Sequence, residues 1–249
     1  MLFESAKVSL PGHRPENQDR VDVFTSAGCA LIVVVDGMGG HAEGARASEV
    51  TVACLKGSFS DAGQPVLDPQ GFLISALGKA HDQVVELGKD IPLEHRPRAT
   101  CAVCLIQDGN AYCAHVGDSR IYQLRDKGVV HRSRDHSHVE LLLHEGVIKE
   151  SDVKNHPMRN YVECCLGGDK PIPDMSIAVR SSLLPGDVLL VCSDGMWSGL
   201  EDDKFAVLVD QAETLSTALD GLAQAAVAAN APYSDNTSAA ALRFNGVRR

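Results

Sequence analysis

The chain is punctuated by short apolar runs that stop at an aspartate. ALIVVVDGMGGH runs into Asp36, AYCAHVGDSR into Asp118 and DVLLVCSDGMW into Asp194, while Asp235 opens SDNTSAAALRF. Runs of about four to eight residues rich in Val, Ala, Ile and Leu, bounded by Gly and Asp, form buried strands. In antiparallel neighbours the end of one strand lies beside the start of the next. Three aspartates at strand ends and one at a strand start can therefore meet on one rim of a sheet, with Asp19 of HRPENQDR joining them. Converging carboxylates repel strongly in a partly dry site, and without metal at least one must take up a proton. The expectation is a site for hard divalent cations with oxygen ligands only. For any single aspartate, turn chemistry explains the residue equally well, because Asp is common wherever strands end.

Size and charge narrow the classes. A chain of 249 residues fits one domain with one core. Hydrophobic residues at 44% and charged residues at 22% are ordinary for a globular protein, and no apolar stretch approaches the roughly 20 residues of a membrane span. The start MLFESAKVSLPGHR has no basic segment followed by an apolar one, so it does not read as a signal peptide and the cytoplasm is the expected compartment. A net charge of -10 argues against a nucleic-acid surface, which needs clustered Lys and Arg. Bound divalent ions would reverse the local field and let an acidic chain accept a phosphorylated substrate.

The eight cysteines lie mostly inside apolar runs and read as reduced thiols packed as small hydrophobes. Strand alternation places Cys101 and Cys104 on opposite faces, which removes the one spacing that suggests zinc. Adjacent Cys164 and Cys165 read as a partly buried pair.

Along the chain, Ala47, Val50 and Cys54 recur at helical spacing, as do Phe72, Ala76, Ala80, Val84 and Leu87, which predicts two successive helices. Asp68 followed by Pro69 is a helix start, because the carboxylate can cap open amides and Pro costs little in the first turn. From Thr100 to Val130 the period changes to that of a three-stranded meander, with Asp108-Gly109 as its first hairpin turn. Residues 134–180 read as an irregular excursion over one end of the sheet, the kind of segment that is more often functional than idle. Residues 202–230 return to helix through Phe205, Leu208, Leu215, Leu219, Leu222 and Ala226. Strands and helices come in blocks, so the predicted class is α+β with antiparallel sheets in the middle.

The ordered motifs Arg14 with Asn17-Gln18-Asp19, Asp36-Gly37-Met38-Gly39-Gly40-His41, Gly117-Asp118-Ser119-Arg120, Asp135-His136-Ser137, Ser193-Asp194-Gly195 and Asp235-Asn236-Thr237 resemble the metal-dependent protein phosphatases of the PP2C (PPM) family in their bacterial form. The resemblance runs from about residue 7 to residue 244. It implies a sandwich of two antiparallel β-sheets flanked by pairs of α-helices, and hydrolysis of phosphoserine and phosphothreonine in proteins. It further implies that Asp36 bridges two Mn²⁺ or Mg²⁺ ions, with Asp194 and Asp235 completing one and the Gly37 carbonyl the other. By the same resemblance Asp19 holds that second ion through water, and Asp118 with Asp194 supplies a weaker third site. Arg14 would bind the substrate phosphate, and residues 134–180 would be the flap that affects substrate choice. A Gly at position 37 lets its carbonyl approach a metal without a Cβ in the way.

Two departures stand out. Met38 occupies the place where eukaryotic members carry a His proposed as general acid, which moves that role to His41. There the plainer reading is a helix cap or a group that orders water. Gln18 replaces a common Glu and is expected to weaken metal affinity modestly. His136 reads as a structural element at the flap's entrance, and Trp197 as packing beneath the metal site.

The expected partners are phosphorylated Ser/Thr proteins and a cognate bacterial Ser/Thr kinase with its substrates, met by a monomer. The rival readings are a phosphoprotein-binding pseudophosphatase and a related phosphatase acting on an anti-sigma-factor-type partner or a small phosphorylated metabolite. Retention of five aspartates and Arg14 argues against the first.

Overall fold

The computed structural model describes residues 2–26, 28–38, 42–180 and 182–246. Its strands are β1 (Leu2–Leu10), β2 (Asp19–Ser26), β3 (Cys29–Met38), β4 (Arg98–Gln107), β5 (Asn110–Val116), β6 (Arg120–Arg125), β7 (Gly128–Arg132), β8 (Leu166–Gly167), β9 (Ser176–Arg180), β10 (Val188–Cys192) and β11 (Thr237–Gly246). The α-helices are α1 (Ala42–Asp61), α2 (Pro69–Leu87), α3 (His138–His144), α4 (Glu150–Val153), α5 (Asp194–Trp197) and α6 (Leu215–Ala229).

The strands form two antiparallel sheets, one in the order β1-β11-β10-β6-β7 and the other β2-β3-β4-β5-β9, with β8 paired to β4. Residues 29–35 of β3, 101–106 of β4 and all of β10 are apolar without alternation because both of their faces are covered. Along β3, Leu31, Val33 and Val35 face Leu55, Phe59, Leu73 and Leu77 of α1 and α2. The alternate residues Ala30, Ile32 and Val34 meet Leu189, Val191, Ala240 and Leu242 of the other sheet. The outer face of that second sheet buries Leu190 and Ala241 against Phe205, Leu219 and Ala223. The sandwich therefore has helices on both outsides, the pair α1 and α2 on one and α6 with the 3₁₀ helix Asp202–Val209 on the other.

The predicted start of α2 is realised: Asp68 accepts a hydrogen bond from the Gly71 amide and Pro69 occupies the first turn. Asp108-Gly109 makes the two-residue turn between β4 and β5 with both residues at positive φ (52° and 72°), as a type I′ hairpin requires. The predicted three-stranded meander is instead four strands, and it is broken. After β5 the chain crosses to the other sheet through Gly117-Asp118-Ser119, so β6 and β7 pair away from β4 and β5. The excursion at 134–180 also holds more order than expected. It contains α3, α4 and β8, and ends in β9, an edge strand of the sheet it crosses. The return to helix expected over 202–230 comes in two pieces, a 3₁₀ helix and α6, parted by residues 210–214. No helix among the described residues is long and apolar enough to cross a membrane.

Candidate metal centre

The alternation that sends Ile32 and Val34 between the sheets places Asp36 at the open end of the same layer. In β2, Asp19 precedes Val21 and Val23 in the same way, and the register sets Asp19 directly opposite Asp36. From the other sheet, the Ser193 hydroxyl donates to Asp19 Oδ2 at 2.7 Å and accepts from the Ser238 amide at 3.0 Å. That pair of bonds ties the two sheets together across the mouth. Asp194 opens α5 one residue later, Asp118 lies on the crossover after β5, and Asp235 stands just before β11.

These carboxylates feel one another. Burial pushes Asp36 and Asp194 well above the ordinary carboxylate range, and neighbouring charges add to it: Asp19, Asp194, Asp118 and Asp235 act on Asp36, and Asp118, Asp235 and Asp19 act on Asp194. Burial, against hydrogen bonds from Ser193 and Ser238, brings Asp19 up to about 6. Burial and then Asp135 bring Asp118 up to about 7. Asp19 Oδ1 is buried with no hydrogen-bond partner. An acceptor left dry and unpaired in this way is costly unless a cation or its water shell meets it. Among the described residues no three Asp, Glu, His or Cys side chains converge as a cage for one ion.

Gly37 is required by packing as well as by any carbonyl ligation. A Cβ there would stand 2.0 Å from the Gly44 carbonyl oxygen in the first turn of α1. Arg14 sits on the rim about half exposed, its guanidinium donating to Asp235 Oδ2 at 2.7 Å. The proposed phosphate binder thus rests on a proposed metal ligand. His41 lies outside the described residues.

Several supporting residues carried no sequence signal of their role. Asn236 accepts from the Gln18 amide at 2.8 Å and donates to the Pro11 and Glu16 carbonyls at 2.9 Å, which pins the Arg14 loop to the start of β11. Arg120 forms a two-pronged bond to Asp135 (2.9 and 2.8 Å) and lies 3.7 Å from the centre of the Trp197 ring. The Trp197 indole in turn donates to the Asp118 carbonyl at 3.0 Å. Trp197 therefore supports Asp118 from below, as the sequence suggested, and Arg120 is committed to Asp135 instead of a ligand. His136 accepts from the Gly117 amide at 3.3 Å and meets Ser176 Oγ at 2.8 Å, a structural role at the flap's entrance. Asn236, Arg120 and Asp135 stand inside the recognised motifs, which was the only hint available.

Residues 14–226 match the protein phosphatase 2C family. The protein phosphatase PhpP of Streptococcus pneumoniae is 30% identical over 235 residues, covering 93% of each chain. The solved serine/threonine phosphatase of S. agalactiae superposes with a TM-score of 0.87 at 28% identity, over 98% of this chain and 100% of that one. The catalytic domain of the serine/threonine protein phosphatase PstP, solved with two manganese ions, shares the fold at a TM-score of 0.81 and 24% identity, over 98% and 99% of the two chains. A two-sheet sandwich with helices outside and acids gathered at one end is the fold of a metal-dependent phosphatase. The chain belongs to the protein phosphatase 2C family.

Proposed function

We propose that this protein hydrolyses phosphoserine and phosphothreonine in other proteins, opposing a bacterial Ser/Thr kinase, as a single catalytic domain. The observation that carries the reading is the set of mutually repelling, buried carboxylates with an unpaired Asp19 oxygen among them, held in a family fold by hydrogen bonds from both sheets. Two manganese or magnesium ions, when bound, supply the charge that activates water for attack on phosphorus and steadies the phosphoryl oxygens.

Asp36 would be shared between the ions, with Asp194 and Asp235 on one, the Gly37 carbonyl on the other, and Asp19 holding the latter through water. Asp118 with Asp194 would hold a third, weaker ion. Arg14, on the rim beside Asp235, would orient the substrate by presenting its planar fork of donors to the phosphate. His41, five residues beyond Asp36, is the proposed proton donor to the leaving oxygen. The attacking group would be water and not a side chain, which fits the absence of a Cys-x5-Arg pattern from the sequence.

The excursion at 134–180 shapes which phosphoproteins are accepted. We place the enzyme in the cytoplasm as a monomer, with phosphoproteins as partners and no role for nucleic acid or membrane. The test is phosphate release from a phosphothreonine peptide with Mn²⁺, with EDTA, and with Mn²⁺ restored. Turnover that vanishes and returns with metal supports the reading. Absence of turnover while Mn²⁺ still binds overturns it in favour of phosphoprotein binding without catalysis.

A further inference from the structure

The turn between β4 and β5 fixes a cysteine pair. In a two-residue type I′ hairpin the residues flanking the turn, here Gln107 and Asn110, exchange hydrogen bonds, and the pairs beyond them alternate between bonded and non-bonded. Counting outward, Cys104 opposite Cys113 is a non-bonded pair. At such positions the Cα atoms stand about 4.5 Å apart and the side chains are closest, inside the span of roughly 4.4–6.8 Å that a disulfide needs. Both side chains lie on the face that meets the other sheet. The two sulfurs are 3.0 Å apart, with the Cys104 thiol donating to the Cys113 sulfur. Cys113 also lines a cavity of about 170 Å³, together with Ile121, Ser133 and Ser176. At roughly 30 Å³ per molecule of liquid water, that space admits an oxidant as small as hydrogen peroxide.

We propose that Cys104 and Cys113 form a reversible redox pair, closing to a cross-strand disulfide when the protein meets hydrogen peroxide. Cys113 Sγ attacks one peroxide oxygen as the O–O bond breaks, giving a sulfenic acid and one water. Cys104 Sγ then attacks that sulfur, the S–S bond forms, the S–O bond breaks and a second water leaves. The two thiols give up two electrons and two protons, and one peroxide takes up both. The bridge ties β4 to β5 just inside Thr100 and Asp118, the residues that lead these strands into the proposed metal centre. Cys101, on the other face of β4, takes no part.

The test uses the unaltered protein, so no variant has to fold. Folded protein is exposed to hydrogen peroxide, quenched, denatured, alkylated with iodoacetamide and digested with trypsin. Residues 99–120 contain no internal Lys or Arg, so Cys101, Cys104 and Cys113 arrive in one peptide. The expected peptide is two hydrogens lighter and carries a single alkyl group, on Cys101. Dithiothreitol before alkylation should restore three labels. Three labels without the reductant, with oxidation confined to Cys164 and Cys165, would overturn the proposal. So would a sulfinic acid on Cys113 beside an alkylated Cys104.

Discussion

Asp19 and Asp36 face each other across the β2–β3 ladder at the mouth of the inter-sheet layer. Like charges directly opposite on antiparallel strands destabilise a sheet, and burial raises the cost. An amphipathic strand without a site would carry a small polar residue at one of these positions. The arrangement keeps stability low where cation binding can recover it.

Replacing Asp36 with Asn should therefore raise the melting temperature of the EDTA-treated protein while removing most turnover. The relief of a buried like-charge contact is worth about 2 kcal/mol, or roughly 4–8 °C for a chain of this size. For Asp19→Asn the gain should depend on pH. The Asp19 carboxyl is raised from 3.8 to about 6 in the folded protein. Its folded form therefore binds the proton more tightly than the unfolded form, and the native carboxylate loses stability as pH rises between those values. The advantage of Asn over Asp should be small near pH 4 and complete by about pH 7. Calorimetry that shows the same difference at both pH values would contradict the shift.

Arg14 and Asp235 pair at 2.7 Å on the exposed rim, where an ion pair contributes about 0–1 kcal/mol. Arg14→Ala should leave the melting temperature within about 4 °C, because so little is lost on folding. Its effect should fall on KM for a phosphothreonine peptide, rising about tenfold or more with the loss of a charge-assisted phosphate contact. Arg14→Lys should recover only part of this, since a single ammonium cannot present the two-pronged geometry. An unchanged KM in Arg14→Ala would remove the residue from the substrate site.

Asp187 carries the opposite sign. It is buried beside the β10 start and accepts from Arg125 at 2.6 Å twice, from Gln123 at 3.2 Å and from the Leu184 amide at 3.0 Å. Burial alone would raise its carboxyl, but the Arg125 and amide bonds outweigh it and hold the group below 3.8. The stabilisation is thus present above the unfolded value and lost as pH falls through the folded one. Asp187→Asn should cost about 2 kcal/mol at pH 7, and that difference should shrink below about pH 3.5. Thermal melts at both pH values decide it, and a difference that grows in acid would sink the account.

The gathering of these acids was legible because five aspartates recur in family order at strand ends, where turn chemistry would explain any one alone. β3 could be read from its unbroken aliphatic run, and α2 from the Asp68-Pro69 start, since both signals act within a few residues. The crossing at Gly117–Ser119 could not. β5 and β6 both read as strands, and strand period says nothing about which sheet a strand joins. The two residues of β8 are too few to show a period, and Asp202–Val209 shares the apolar spacing of a helix while closing as 3₁₀. Trp197 was expected beneath the site, but its contact with Arg120 escaped for a related reason. Arg120 and Trp197 meet only through the folded sheet, 77 positions apart in the chain.

That support sets the last expectation. Asp118 is held by its backbone, its carbonyl accepting from Trp197 over the Arg120–Asp135 pair, so its side chain can change without moving the crossover. Asp118→Ala should keep both tightly bound Mn²⁺ ions in titration calorimetry while lowering kcat through the weaker third site. Trp197→Phe keeps a ring against Arg120 but loses the indole donor, and so should lower kcat in the same direction by a smaller factor. Loss of both tight ions in Asp118→Ala would show that Asp118 belongs to the two-ion core, and the third-site assignment would fall.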